Sequence, residues 1–186
     1  TGTEVSKDAA SMILSDDNFA TIIKAVANGR TVYNNIKNAV LYLLSGNFSA
    51  IITVIYASLM ALPVPFQAVQ LLFINLVTDS LPALAIGMEP GAKDVLDKKP
   101  RNPKQGILDK KFVTLMVSQG VLIALSVITA FMSGLSVSPE AASTMAFATL
   151  TLARLLHGFN CRGEHSILTL GFKNNMYSLG AFVLGL

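Results

Sequence analysis

Four apolar runs, Ala39–Leu62, Phe66–Met88, Phe112–Leu135 and, less cleanly, Ala141–Phe159, constrain this chain more than any other feature. Each is close to or above the roughly 20 residues that carry a helix across the hydrocarbon core of a bilayer. The composition agrees: 52% of the 186 residues are hydrophobic, only 13% are charged, and there is no tryptophan. The expected fold is an all-α membrane protein, a polytopic bundle of transmembrane helices. A fifth run starts at Met176 and stops at Leu186, short of a full span. The chain opens on Thr1-Gly2-Thr3, without an initiator methionine or the features of a signal or transit peptide. Both ends lead us to expect an internal segment of a longer protein.

Orientation follows from the basic residues, because Lys and Arg concentrate in cytoplasmic loops. Lys7, Lys24, Arg30 and Lys37 precede the first span, seven lie from Lys93 to Lys111 between the second and third, and Arg162 and Lys173 follow the fourth. The turns around Leu62–Pro65 and Leu135–Glu140 carry none. The leading segment and the long loop are therefore expected in the cytoplasm. The net charge of +3 reflects this asymmetry, not an affinity for nucleic acid. Cys161 is the single cysteine, so an internal disulfide is excluded and a free cytoplasmic thiol is expected.

The leading segment has its own pattern. Val5–Ser11 reads as the end of a short helix and Met12–Leu14 as a short buried strand. Asp16-Asp17-Asn18 then supplies capping side chains for a helix whose Phe19, Ile22, Ile23 and Val26 form one apolar face, suited to docking on a cytoplasmic domain. Asn28-Gly29 is expected to break that helix, and a second is expected to run from about Thr31 into the first span without another strong breaker until Gly46.

Inside the spans, Asp79 is the only well-buried acidic residue, and a carboxylate at that depth costs at least a few kcal/mol on the mildest scale. Asn75, Thr78 and Asp79 stand at i, i+3 and i+4, so on an α-helix they share a face and all offer oxygen. Pro82 cannot donate to the Thr78 carbonyl, which frees backbone oxygen nearby. Asn47 adds an amide beside Gly46 in the preceding span. Hard cations such as Ca²⁺ take six to eight oxygens of these kinds, whereas no His/Cys cluster points to a softer metal. The structural alternatives are interhelical hydrogen bonding for Asn47, bonding back to its own helix for Thr78, and an ion pair with Arg154 for Asp79. Arg154 is the only basic residue inside a span; it either acts as a tethered counter-cation pairing with Asp79 or snorkels to the interface. His157, one turn further on, reads as interfacial, and the scattered methionines as packing.

The stretches GTEVSKDAASMILSDDNF (Gly2–Phe19), GRTVYNNIKNAVLYLLSGN (Gly29–Asn47) and LLFINLVTDSLPALAIGMEP (Leu71–Pro90) closely resemble P-type cation-transporting ATPases of the calcium-pump subgroup. The resemblance implies that residues 1–28 are the tail of the cytosolic α/β phosphorylation domain and a hinge. Residues 29–186 would then be the membrane domain, with helices five to eight, the start of nine, and a cytosolic loop at 89–111. It implies Ca²⁺ as the transported ion, with ATP and Mg²⁺ bound, and the aspartate phosphorylated, outside these residues. This stretch alone would then not hydrolyse ATP.

Asn75, Thr78 and Asp79 match the sixth-helix calcium ligands of that subgroup, and Asn47 matches the fifth-helix asparagine. Two positions depart from the reticulum-type pumps that bind two ions: Ala50 and Arg154 each stand where those pumps have a glutamate. Both changes remove carboxylate from the first of the two sites, so the resemblance implies one remaining calcium site. A fourth-helix glutamate and carbonyls would complete it. The implied protein is a monomeric, multi-pass calcium exporter of a bacterial plasma membrane, whose partners are the ion, the bilayer and the rest of the pump. A P-type pump for protons or Mn²⁺, or a secondary cation transporter, remains open at this point.

Overall fold

The computed structural model describes residues 2–16, 18–92, 94–100, 106–163 and 175–186, and every regular element among them is helical. Asp17 of the capping run, and Lys93, Arg101, Lys104 and Lys173 of the charge count, lie outside the described residues.

Helix α1 (Glu4–Ala9) is capped by Thr3, whose hydroxyl accepts from the Ser6 amide at 3.3 Å. The strand expected at Met12–Leu14 does not form, and Met12 and Ile13 are 54% and 58% exposed. A strand is stable only when paired, and there is no second strand among the described residues.

Helix α2 (Phe19–Leu59) is 41 residues long, about 60 Å at 1.5 Å per residue. Asn18 caps it by accepting from the Ala20 amide at 3.0 Å. Asp16 braces the same turn, accepting from the Thr21 hydroxyl at 2.6 Å, and that bond, with the Asn18 amide, holds its carboxyl below the usual range. The expected break at Asn28-Gly29 is absent. One glycine costs about 1 kcal/mol against alanine, too little to end a helix that is anchored directly after it. The anchors are Thr31, whose hydroxyl donates to the Ala27 carbonyl at 3.0 Å, and Arg30, whose Nη1 donates to the carbonyls of Val95 (2.9 Å) and Lys98 (2.7 Å). Lys37 pairs with Asp109 at 3.2 Å. The N-terminal half of α2 is thus tied to the segment after the second span. Its far end closes as a Schellman turn: Ala61 takes the left-handed conformation (φ 51°), Leu62 N–H donates to Ala57 and Ala61 N–H to Ser58.

The second span is three pieces in line, α3 (Ala68–Phe73), a π-helical turn (Ile74–Asp79) and α4 (Ser80–Gly87). Helix α5 (Lys110–Leu135) starts from Asp109, which accepts from the Phe112 amide at 2.7 Å. Helix α6 (Pro139–Asn160) starts from Ser138 with proline in its first turn, where the missing N–H is harmless. Helix α7 (Met176–Gly185) starts from Asn175. Among the described residues α2, the rod Ala68–Gly87 and α5 are long and apolar enough to cross a membrane. Helix α6 has the length, about 33 Å, but its inward face carries Ser143, Thr151, Arg154 and His157.

Between helices in lipid there is little hydrophobic drive, so close packing of small residues has to hold them. A Cβ on Gly134 would fall 2.5 Å from Ala142 Cα, which is why α5 and α6 form a tight hairpin. A Cβ on Gly120 would fall 3.0 Å from the Ser45 carbonyl, so α5 lies against α2. The apolar core between them joins Ala57, Ile74, Val127, Phe131, Ala146 and Leu150.

Polar bonds close the end of the bundle near Glu89. Arg162, counted above as a loop charge, is 2% exposed and donates from Nε and Nη2 to both oxygens of Glu89 at 2.8 Å. Asn175 donates to Glu89 at 2.6 Å and to the Ala85 carbonyl at 2.9 Å, and Asn35 donates to the carbonyls of Gly87 and Glu89. The Glu89 carboxylate thus takes Arg162 and Asn175, while its backbone carbonyl takes Asn35. Removing one partner of a buried pair strands the other charge, so Arg162→Met should destabilise the protein by about 3–5 kcal/mol. Thermal unfolding in detergent measures this: a midpoint well below that of the exposed-site control Lys99→Met is expected, and equal midpoints would contradict the latch.

Candidate cation site

Pro82 sets the local geometry. It leaves the Thr78 carbonyl without its α-helical donor, and the backbone answers by widening to a π-turn over Ile74–Asp79. Ser80 donates its hydroxyl to the Asn75 carbonyl five residues back, at 3.1 Å. The Thr78 carbonyl, expected above to be free, accepts instead from the Tyr42 hydroxyl at 2.6 Å.

This turn changes which side chains share a face. In a wider turn the residue at i+4 stays over i, while the one at i+3 moves aside. Asn75 and Asp79 accordingly line one open cleft of about 860 Å³, together with Asn47 from α2, Ser80, and apolar residues such as Leu43 and Leu84. Thr78 is not part of that lining; it is fully buried, and its hydroxyl has no hydrogen-bond partner among the described residues. The single face expected for Asn75, Thr78 and Asp79 is therefore split.

Arg154 reaches the same place from α6. It is 1% exposed, its Nη1 lies 2.8 Å from Asp79 Oδ1, and its Nη2 donates to Asn47 Oδ1 at 2.8 Å. It points inward and does not snorkel. A guanidinium stays charged in proteins, so a buried one needs partners in fixed positions, which a carboxylate and an amide provide. The structural alternatives for Asp79 and Asn47 are thus both realised, without removing either from the cleft wall.

One turn along, His157 lies 2.8 Å from the Ser45 hydroxyl and 3.3 Å from Cys161 Sγ, and stacks on Tyr42 at 6.0 Å between ring centres. It is buried, not interfacial, because a serine of α2 gives its ring a polar partner inside the bundle. Cys161 is a free thiol, but a buried one. Ala50 contributes only packing to the apolar core.

Chemically, the cleft offers one carboxylate, two amides and a hydroxyl to an ion, all hard oxygen donors. No three His, Cys, Asp or Glu side chains converge among the described residues. Sequence reasoning missed Tyr42, whose hydroxyl inside an aliphatic run was the available signal. It also missed the Glu89–Arg162 pair, whose members lie in segments that read as loops.

The family model described as "Cation transporting ATPase, C-terminus" matches residues 63–186. A calcium-transporting ATPase of Bacillus subtilis is 46% identical over 184 residues, covering 97% of this chain and 21% of that protein. The calcium-transporting ATPase lmo0841 of Listeria monocytogenes is 47% identical, covering 98% and 21%. The human calcium-transporting ATPase type 2C member 1 is 36% identical over 178 residues, covering 94% and 19%. The chain spans about a fifth of the length of these relatives.

Tyr42→Phe leaves the Thr78 carbonyl buried and unpaired, which should cost about 1–3 kcal/mol. Faster hydrogen exchange confined to the segment around Thr78–Pro82 is the expected readout. Unchanged exchange there would show that the hydroxyl does not hold the π-turn.

Proposed function

Because the chain belongs to the C-terminal family of cation-transporting ATPases, we propose that it forms part of the membrane domain of an ATP-driven calcium exporter. In this reading the pump is a monomeric, multi-pass protein of a bacterial plasma membrane. Residues 1–28 end its cytosolic phosphorylation domain, and residues 29–186 belong to its membrane domain. ATP, Mg²⁺ and the phosphorylated aspartate belong to the remainder of the pump.

The observation that carries the reading is the meeting of Asp79, Asn75 and Asn47 on one cleft wall, with a buried guanidinium beside it. Asp79 supplies the charge, Asn75 and Asn47 supply amide oxygens, and Thr78 keeps in the layer behind a hydroxyl that has no partner among the described residues. Residues from the rest of the pump complete the coordination from the open side. Calcium suits this set, since it takes several oxygens in flexible geometry.

Arg154 serves as a counter-cation. A divalent ion 4 Å from it would be repelled by about 4 kcal/mol per unit charge at an effective dielectric of 20. The position beside Asp79 is therefore closed to a second ion, and Ala50 brings no oxygen to it. When calcium leaves on the far side, the guanidinium compensates the Asp79 carboxylate without needing a proton.

ATP-driven uptake of radioactive calcium by vesicles containing the full-length pump, with no ion gradient imposed, tests the activity; uptake of protons or Mn²⁺ in its place would redirect the reading. Asp79→Asn removes the charge at nearly constant volume, so calcium-dependent phosphorylation by ATP should weaken sharply. An unchanged calcium dependence would refute the site. Equilibrium calcium binding should saturate at one ion per phosphorylatable enzyme, and saturation at two would refute the role given to Arg154.

A further inference from the structure

We infer that Gly46 is a positioning residue for Arg154: the missing Cβ is the seat on which the guanidinium lies while it holds Asn47 and Asp79 together. The inference rests on the counter-cation reading above and adds the residue that fixes where the charge sits.

A Cβ built on Gly46 would fall 2.5 Å from Arg154 Nη2 and 2.8 Å from Cζ, with Nε closer still. All three nearest atoms belong to that one side chain. Gly46 lies inside α2 without a left-handed φ, so the backbone itself has no need of glycine. Glycine in a helix interior is less favourable than alanine, and here it persists where a methyl group would occupy the guanidinium's place. Gly29, in the same helix, would bring its Cβ within 4 Å of nothing among the described residues and makes the contrast.

The guanidinium has no room to give way cheaply. It is clamped by two 2.8 Å contacts, one to Asp79 on the π-turn and one to Asn47 beside Gly46 itself. Moving it far enough to admit a methyl group lengthens both. Gly46 thereby helps decide whether the space beside Asp79 is filled by a fixed charge or left to a mobile ion.

A double-mutant cycle in the full-length pump tests this with Gly46→Ala, Arg154→Met and the two combined, and Gly29→Ala as the helix control. Gly46→Ala should lower the thermal unfolding midpoint in the wild-type background and raise it or leave it unchanged beside Arg154→Met, where only the better helix propensity remains. Its half-saturating calcium for phosphorylation should shift toward that of Arg154→Met, and the double variant should match Arg154→Met. Equal changes in both backgrounds would overturn the inference, leaving Gly46 a helix-packing residue. If Gly46→Ala alone does not fold, folding of the double variant supports the seat and its failure refutes it. The unfolding cycle involves no calcium, so coupling there with unaltered calcium dependence in every variant would keep the seat and refute the counter-cation reading instead.

Discussion

The Arg154 guanidinium joins three elements through one charge: it extends from α6, lies against the α2 backbone at Gly46, and meets Asp79 on the π-turn. Neither member of the pair is easily lost. An arginine does not escape burial by releasing its proton, and a carboxylate left alone at that depth is costly. The surrounding structure follows from keeping both satisfied. Asn47 takes the second amino group, the π-turn brings Asp79 within reach, and Tyr42 holds the carbonyl that Pro82 left without a donor.

The same turn determines what the cleft contains. Widening the backbone keeps Asn75 and Asp79 on one wall and draws Thr78 into the interior. A regular α-helix would have presented all three together. At the other end of this span a second buried ion pair, Glu89 with Arg162, fixes α4 against α2, α6 and α7. The second span is therefore held at a polar node on either side of its proline, the first of them on the non-α segment itself. Such a segment can change its hydrogen bonding without dismantling the helices around it.

Much of the helical layout was legible in the sequence because membrane spans announce themselves by length and apolarity. The cap at Asn18 was legible by ordinary rules, and Asp109 and Ser138 obey the same rules although neither was singled out from the sequence. Gly29 misled because local propensity is weak against the tertiary bonds of Arg30, the next residue, and the Thr31 to Ala27 bond that spans the glycine. Met12–Leu14 misled because a strand depends on a partner that no local pattern supplies. Within the site, Asp79, Asn75, Asn47 and Arg154 could be named from their cost in lipid, whereas the π-turn that sorts them could not. Pro82 signals a disturbance without saying how the backbone resolves it. Arg162 and Glu89 read as loop charges because burial of that kind arises only from the way the helix ends converge.

On the proposed function, one ion position survives beside a protein-supplied positive charge. The decisive measurement is anomalous diffraction at long wavelength from crystals of the full-length protein grown with calcium. A single calcium peak is expected in the membrane domain, on the cleft wall near Asp79 and Asn75, with Arg154 still in contact with Asp79 and Asn47. Two peaks, or a calcium ion where the guanidinium lies with Arg154 turned toward solvent, would contradict it.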